Sequence, residues 1–253
     1  MKVRRLYPLS GLALAWLAAA VVQGQEKVVP VYDEPHHRMV FEAPSLRILN
    51  VRVEPGQTSG YHTHDSPILY VQLSSSQLRT ETLGPAPAGP PQGRGRGAPP
   101  AQAAGQNGPP RPGRVSSTTS YVERPVTHRI TNVGDRLFWL IAVLTRLPGD
   151  ESVTPEAAGF AGTPEFVNRW YRAYRFEVAP GAATTKHRHG APVVIVQVTE
   201  GRAVGEGAGR YDLTEAGQWA YFDAGDEHEV RNTGGTPVEL VEVEVRQGRP
   251  GGQ

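Results

Sequence analysis

The chain has 253 residues, with 26 Lys and Arg against 25 Asp and Glu, and it contains no cysteine. A formal charge of +1 builds no basic footprint, so no nucleic-acid partner is expected. Without Cys there is no disulfide framework, no thiolate nucleophile and no Cys-ligated zinc or iron–sulfur site; His and carboxylates remain as ligands for a tight transition-metal site.

From the N-terminus, Lys2, Arg4 and Arg5 precede an uncharged apolar run from Gly11 to Val22, and Val22-Gln23-Gly24 follows with small residues. Basic head, short apolar middle and small-residue exit read as a signal peptide over residues 1–24, with a mature N-terminus near Gln25. The expectation is an exported protein, periplasmic or extracellular. The alternative, a membrane anchor, needs about 20 apolar residues, and the run is shorter. No stable membrane anchor is therefore expected. Arg4-Arg5 followed by Leu6-Tyr7 resembles a twin-arginine signal. His36-His37, beside Asp33 and Glu34, reads as part of a solvated arm.

The first group of predicted strands is Leu46–Val53, Ile68–Leu73, Tyr121–Val122, His128–Thr131 and Leu137–Leu144, rich in β-branched and aromatic residues. Between the second and third lies a tract over residues 84–114 with nine Pro, eight Gly, four Arg and no acid. Such a segment has no apolar periodicity with which to offset its ordering entropy, and it is expected to be a disordered surface loop or, alternatively, a basic tether. The second group of strands is Tyr171–Val178, Val193–Val198, Gln218–Phe222, Glu229–Arg231 and Val238–Val245. Glu165–Tyr174 has the length of a short helical turn, but its aromatic content favours strand. Val241-Glu242-Val243-Glu244-Val245 alternates as a strand with one buried face does. Trp139, Trp170, Trp219, Tyr221 and Phe222 suit either a ligand pocket or a core. No G-x-S-x-G, P-loop or dinucleotide fingerprint is present.

The two groups of strands are copies. An offset of 125 residues carries His62 onto His187, His64 onto His189, Pro67 onto Pro192 and Val71-Gln72 onto Val196-Gln197. An offset of 100 carries His128 onto His228, Asn132 onto Asn232 and Gly134 onto Gly234, the difference arising because the first copy holds the Pro/Gly tract. Two domains follow, an N-terminal barrel over 25–150 containing the 84–114 insertion and a C-terminal barrel over 151–249.

Six of the eight histidines fall in the two repeated triads. Residues i and i+2 of a strand share a face, so His62 with His64, and His187 with His189, aim two imidazoles into one interior. A third from a later strand, His128 or His228, completes three nitrogens. Neutral imidazole suits Fe, Mn, Ni, Cu or Zn and does not choose among them. The other reading of these residues is a set of inward histidines hydrogen-bonded in a core. Glu227 and Glu229 flank His228 and point away from its face, so neither is expected to be a ligand.

With Gly181, His187, His189 and Gly201, and then Gly217, Gly225, His228 and Asn232, the second copy resembles the cupin superfamily. The first copy keeps Gly56, His62, His64, His128 and Asn132, with Glu123 and Pro125 departing from the motif, and the whole chain is similar to a bicupin. The resemblance implies an all-β fold of two tandem jelly-roll (cupin) β-barrels, each with a metal pocket. It also implies that His187, His189 and His228 form the stronger site and His62, His64 and His128 the weaker. The family's fourth ligand is Glu, but Leu69 and Val194 stand at those positions. That departure points to three-histidine sites similar to those of dioxygenase cupins. The expected function is binding or oxidative transformation of a small organic molecule that chelates a divalent transition metal. The alternative is a non-catalytic exported binding or accessory protein. Either would be a monomer or homodimer with a small-molecule ligand.

Overall fold

The computed structural model describes residues 26–84, 111–150 and 162–246. The signal-peptide reading and most of the 84–114 tract lie outside the described residues. The first copy folds as β1 (Val29–Pro30), β2 (His37–Glu42), β3 (Leu46–Val53), β4 (His62–His64), β5 (Ile68–Ser74), β6 (Leu78–Leu83), β7 (Arg114–Thr118), β8 (Val126–Asn132) and β9 (Phe138–Thr145). The second folds as β10 (Phe166–Val167), β11 (Tyr171–Val178), β12 (His187–Arg188), β13 (Val193–Gln197), β14 (Ala203–Glu206), β15 (Arg210–Leu213), β16 (Trp219–Phe222), β17 (Glu227–Asn232) and β18 (Val238–Val245). Tyr121 and Val122, expected in a strand, lie instead in a 3-10 turn at Ser120–Val122. There Tyr121 turns inward to stack on His64, with ring centroids 4.8 Å apart. The aromatic stretch ahead of Val178 is strand, as its composition favours.

Each copy is a five-stranded sheet facing a four-stranded one. In the first the orders are β2-β3-β9-β5-β7 and β1-β4-β8-β6; in the second they are β10-β11-β18-β13-β16 and β12-β17-β14-β15. Non-consecutive neighbours joined across two sheets make the jelly-roll pattern. The duplication is exact at the level of register. Leu46 pairs Thr145 and Val53 pairs Phe138, while Tyr171 pairs Val245 and Val178 pairs Val238. The repeated asparagine is a buttress: Asn132 Nδ2 donates to the carbonyls of Val53 (2.8 Å) and Arg136 (2.7 Å). Asn232 Nδ2 donates to those of Val178 (2.8 Å) and Thr236 (2.8 Å). A buried amide tying three strand ends together satisfies backbone groups that an apolar residue would orphan.

Three apolar clusters result. Leu49, Val51, Ile68, Leu140, Ala142 and Leu144 fill the first barrel; Val193, Ile195, Leu213, Phe222, Val230 and Leu240 fill the second. A third lies between the barrels, where the two five-stranded sheets bring Leu46, Ile48, Leu69, Val71 and Val143 against Tyr171, Val194, Val196, Val241 and Val243. Trp139, Trp170 and Trp219 pack against this layer, and Tyr221 belongs to it. The Tyr171 hydroxyl spans the junction, donating to the Pro67 carbonyl (2.7 Å) and accepting from Thr145 N (3.1 Å).

This layer reverses the expectation for Val241–Val245. The valines face the other barrel, and Leu240, Glu242 and Glu244 face the barrel interior, so both faces are buried. Alternation reports a difference between two faces; it does not say which one is wet. The end of the Pro/Gly/Arg tract also departs from a solvated loop. Arg114 opens β7, and the Gly113 carbonyl accepts from Arg175 of the second barrel, whose Nε also bonds Glu165 (2.9 Å). Two carboxylates and a carbonyl around one guanidinium anchor that end of the tract.

Candidate metal centres

In the second barrel, β12 pairs β17 with His187 directly opposite His228, which sets their ring centroids 4.4 Å apart. His189, two residues on, shares the inward face, with its centroid 5.1 Å from that of His187 and 5.6 Å from that of His228. Glu242 reaches the same point from the inward face of β18. One donor atom from each of His187, His189, His228 and Glu242 lies within 4.8 Å of all the others. None of the four residues is more than 3% exposed. Phe222 stacks on His228 at 4.4 Å and 6°, holding its ring plane.

Hydrogen bonding settles which nitrogens face the centre. His187 Nδ1 meets the Thr185 carbonyl at 2.8 Å and His228 Nδ1 meets the Asp226 carbonyl at 3.2 Å. A carbonyl only accepts, so each Nδ1 carries a proton and each ring turns its Nε2 inward. Both nitrogens face a carboxylate: His187 Nε2 hydrogen-bonds Glu242 Oε1 at 3.1 Å, and His228 Nε2 stands 3.9 Å from Glu242 Oε2. His228 Nε2 and Glu242 Oε2 make no hydrogen bond. Imidazole nitrogens gathered around a buried anion require a cation among them. Without metal that cation is a proton. Burial works against charge on His189, but hydrogen bonds to Glu242 and Glu244 prevail and lift its pKa to about 9. Burial likewise opposes ionisation of Glu242, and the three imidazoles overcome it, holding the carboxyl well below its usual range. Behind this group, Arg172 Nη1 lies 3.3 Å from Glu244 Oε2, which is 3.7 Å from His189 Nδ1.

The residues present fit a divalent transition ion. Two ligands about 2.1 Å from a common ion stand no more than about 4.2 Å apart, close to the observed spread. An anionic oxygen beside three imidazoles suits the first-row series. The carboxylate missing from Leu69 and Val194 is thus supplied by another strand, which corrects the expectation of a purely three-histidine group here. Leu69 and Val194 face the inter-barrel layer, whereas Ile68 and Val193 face inward. The sequence carried one signal for Glu242: the first copy has Ala142 and Leu144 where the second has two acids.

The first barrel repeats the histidine frame without those acids. β4 pairs β8 with His62 opposite His128, ring centroids 4.7 Å apart, and His64 stands 5.1 Å from His62 and 4.9 Å from His128. His62 Nδ1 donates to the Gly60 carbonyl at 3.0 Å, as His187 does to Thr185. Burial, and then the like charge of neighbouring histidines, pushes the pKa of His62 down to about 3 and that of His128 to about 4. His64 falls well below its ordinary value for the same reasons. All three are neutral near pH 7.

His37 joins them. Read from sequence as a solvated arm, it is 5% exposed and its ring lies 4.2 Å from that of His62. The donor atoms that converge within 4.8 Å are those of His37, His62 and His64, and His128 stands beside this set. His37 lies outside the duplicated register, so repeat analysis had no means of finding it. Two clefts lie between the barrels, one lined by Asn50, Arg52, Trp139 and Trp219, the other by Ser45, Leu147, Pro192 and Tyr221. Neither is lined by a histidine of either cluster.

Two fused jelly rolls, each turning histidines from paired strands into its interior, define a double-barrel protein with buried imidazole clusters. The Cupin_2 family, described as a cupin domain, matches residues 174–244, which include His187, His189, His228 and Glu242. The beta-alanine degradation protein BauB of Pseudomonas aeruginosa is 40% identical over 70 residues, 27% of this chain and 74% of that protein. Among solved structures, AerE from Microcystis aeruginosa superposes with a TM-score of 0.53 at 12% identity, covering 83% of this chain and 97% of that one. The oxalate decarboxylase of Lactobacillus farciminis, solved as a formate complex, gives 0.50 at 14% identity over 81% of this chain and 78% of its own. The chain belongs to the cupin superfamily. At these identities the structural likenesses establish the fold alone.

Proposed function

We propose that this chain is an exported bicupin that holds a divalent transition metal on His187, His189, His228 and Glu242, and that it binds or oxidatively transforms a small organic molecule there. The observation carrying this reading is the buried convergence of three imidazoles on one carboxylate, with His228 Nε2 and Glu242 Oε2 left without hydrogen bonds. When bound, the ion supplies Lewis acidity and a template for a chelating ligand such as an enol, dione or hydroxy acid. The chain's own residues do the rest. The Thr185 and Asp226 carbonyls fix two imidazole tautomers, Phe222 fixes one ring plane, and Glu244 with Arg172 supports His189 from behind. Glu242 removes one unit of the ion's double charge, which weakens its Lewis acidity relative to a site of three neutral ligands. The BauB relative is named for degradation of a small amino acid and the fold neighbour for decarboxylation of a small dicarboxylate, both in keeping with a small organic substrate.

The burial of all four residues, and the clefts elsewhere, favour a second reading: a non-catalytic binding or accessory barrel. Metal analysis of the purified chain separates the two. Stoichiometric iron, manganese, nickel or copper that is lost on His228→Ala supports the first. A chain isolated without metal, with a melting temperature indifferent to chelator, supports the second.

A further inference from the structure

We infer that the first barrel carries a separate, all-imidazole metal site on His37, His62 and His64, and that an ion there clasps the N-terminal arm to the barrel. The arm, residues 26–42, is held by short elements. β1 adds two residues in parallel to β4, with Val29 opposite His62, and Val29 N donates to the Tyr61 carbonyl at 3.2 Å. β2 is an edge strand on β3. His37 opens that edge strand, and His62 and His64 belong to the opposite sheet. A bond from each to one ion joins the two sheets of the first barrel at a point where no backbone pairing does.

The polar atoms are arranged for it. His62 Nε2 and His64 Nδ1 are buried with no hydrogen-bond partner. A buried imidazole nitrogen left unpaired is costly unless something absent from the polypeptide occupies it. Tyr121, stacked on His64, holds that ring in place. Glu34 sets up His37 from behind. It is 2% exposed, accepts from His37 Nδ1 at 2.6 Å, and is itself held by His36 N and Gly60 N, each at 2.9 Å. With its Nδ1 committed to Glu34, His37 turns Nε2 toward His62 and His64. This carboxylate–imidazole arrangement fixes the tautomer and raises ligand basicity.

The donor set also selects the ion. Glu34 lies behind His37 rather than among the converging atoms, and Ala142 replaces the carboxylate of the second barrel, so only nitrogen faces the centre. Imidazole alone suits Zn²⁺, Cu²⁺, Ni²⁺ and Co²⁺ and discriminates against Mn²⁺ and Mg²⁺, which favour oxygen. The second barrel, with its carboxylate, tolerates Mn²⁺ better.

The test uses the full chain carrying His187→Ala and His228→Ala, which removes the second-barrel site, so that its result is independent of the reading proposed above. Zn²⁺ titrated calorimetrically is expected to bind one equivalent and to slow amide exchange across residues 26–42, while Mn²⁺ at equal concentration does neither. Adding His37→Ala is expected to weaken Zn²⁺ by at least about tenfold and to abolish the exchange protection. Glu34→Gln is expected to weaken it by about ten- to a hundredfold at unchanged stoichiometry. Absence of Zn²⁺ binding, equal affinity after His37→Ala, or binding without protection of the arm overturns the proposal. The protection measurement on the His37-containing chain stands even if His37→Ala fails to fold, and loss of the second site is read separately in a His62→Ala chain.

Discussion

Glu242→Gln is nearly isosteric, so it tests charge rather than packing. Unit charges 4 Å apart attract by about 4 kcal/mol at an effective dielectric of 20, which converts to about a thousandfold in Kd. The same carboxylate, however, raises His189 to about 9, so below that pH the metal must displace a proton. At pH 7, two units below, competition costs about a hundredfold. The sign follows from the raised pKa: the proton is bound at pH 7 and leaves as pH climbs through 9. Wild-type affinity is therefore expected to rise about tenfold per pH unit from 7 to 9, then level off. The variant has lost the principal support for that proton, and its affinity is expected to be much flatter with pH. The gap between the two grows from about tenfold at pH 7 to about a thousandfold at pH 9. Competition against a chromophoric chelator in a His62→Ala background, which leaves only the second site, measures both curves. A gap that is absent, or constant across this range, refutes the assignment of Glu242 as ligand and counter-ion.

Tyr171→Phe removes the hydroxyl at the inter-barrel junction. Because Thr145 N retains the Pro67 carbonyl at 3.3 Å, the expected loss is only about 1 kcal/mol, or about 2–4 °C in Tm by calorimetry; a larger fall would mean that the junction depends on this bond. Export is checked by N-terminal sequencing of the secreted product, where the basic head and apolar run predict a start near Gln25, and retention of residues before Leu12 would contradict the signal-peptide reading.

Duplication, strand content and the inward histidine pairs were legible in the sequence because each is a local or periodic property. Alternation places His62 with His64 and His187 with His189 on one face, and a register kept twice over marks His128 with Asn132 and His228 with Asn232. The observed bounds of Leu46–Val53, Tyr171–Val178 and Val238–Val245 coincide with the expected ones, since long β-branched and aromatic runs leave little freedom. Only the tertiary structure decided what those faces meet. Whether the valines or the glutamates of Val241–Val245 turn toward the centre depends on a second barrel covering the outer face, and no pattern within five residues encodes that. His37 lies 25 residues before His62 and outside the repeat, and it reaches the cluster because β2 pairs with β3 at the sheet edge. Polar residues look solvated when read along the chain; Glu242 and Glu244 are buried because they meet His187, His189 and Arg172 of other strands, while Glu34 and His37, partners three residues apart, are buried because the arm folds against Gly60 and His62, and those contacts exist only once the strands have folded together.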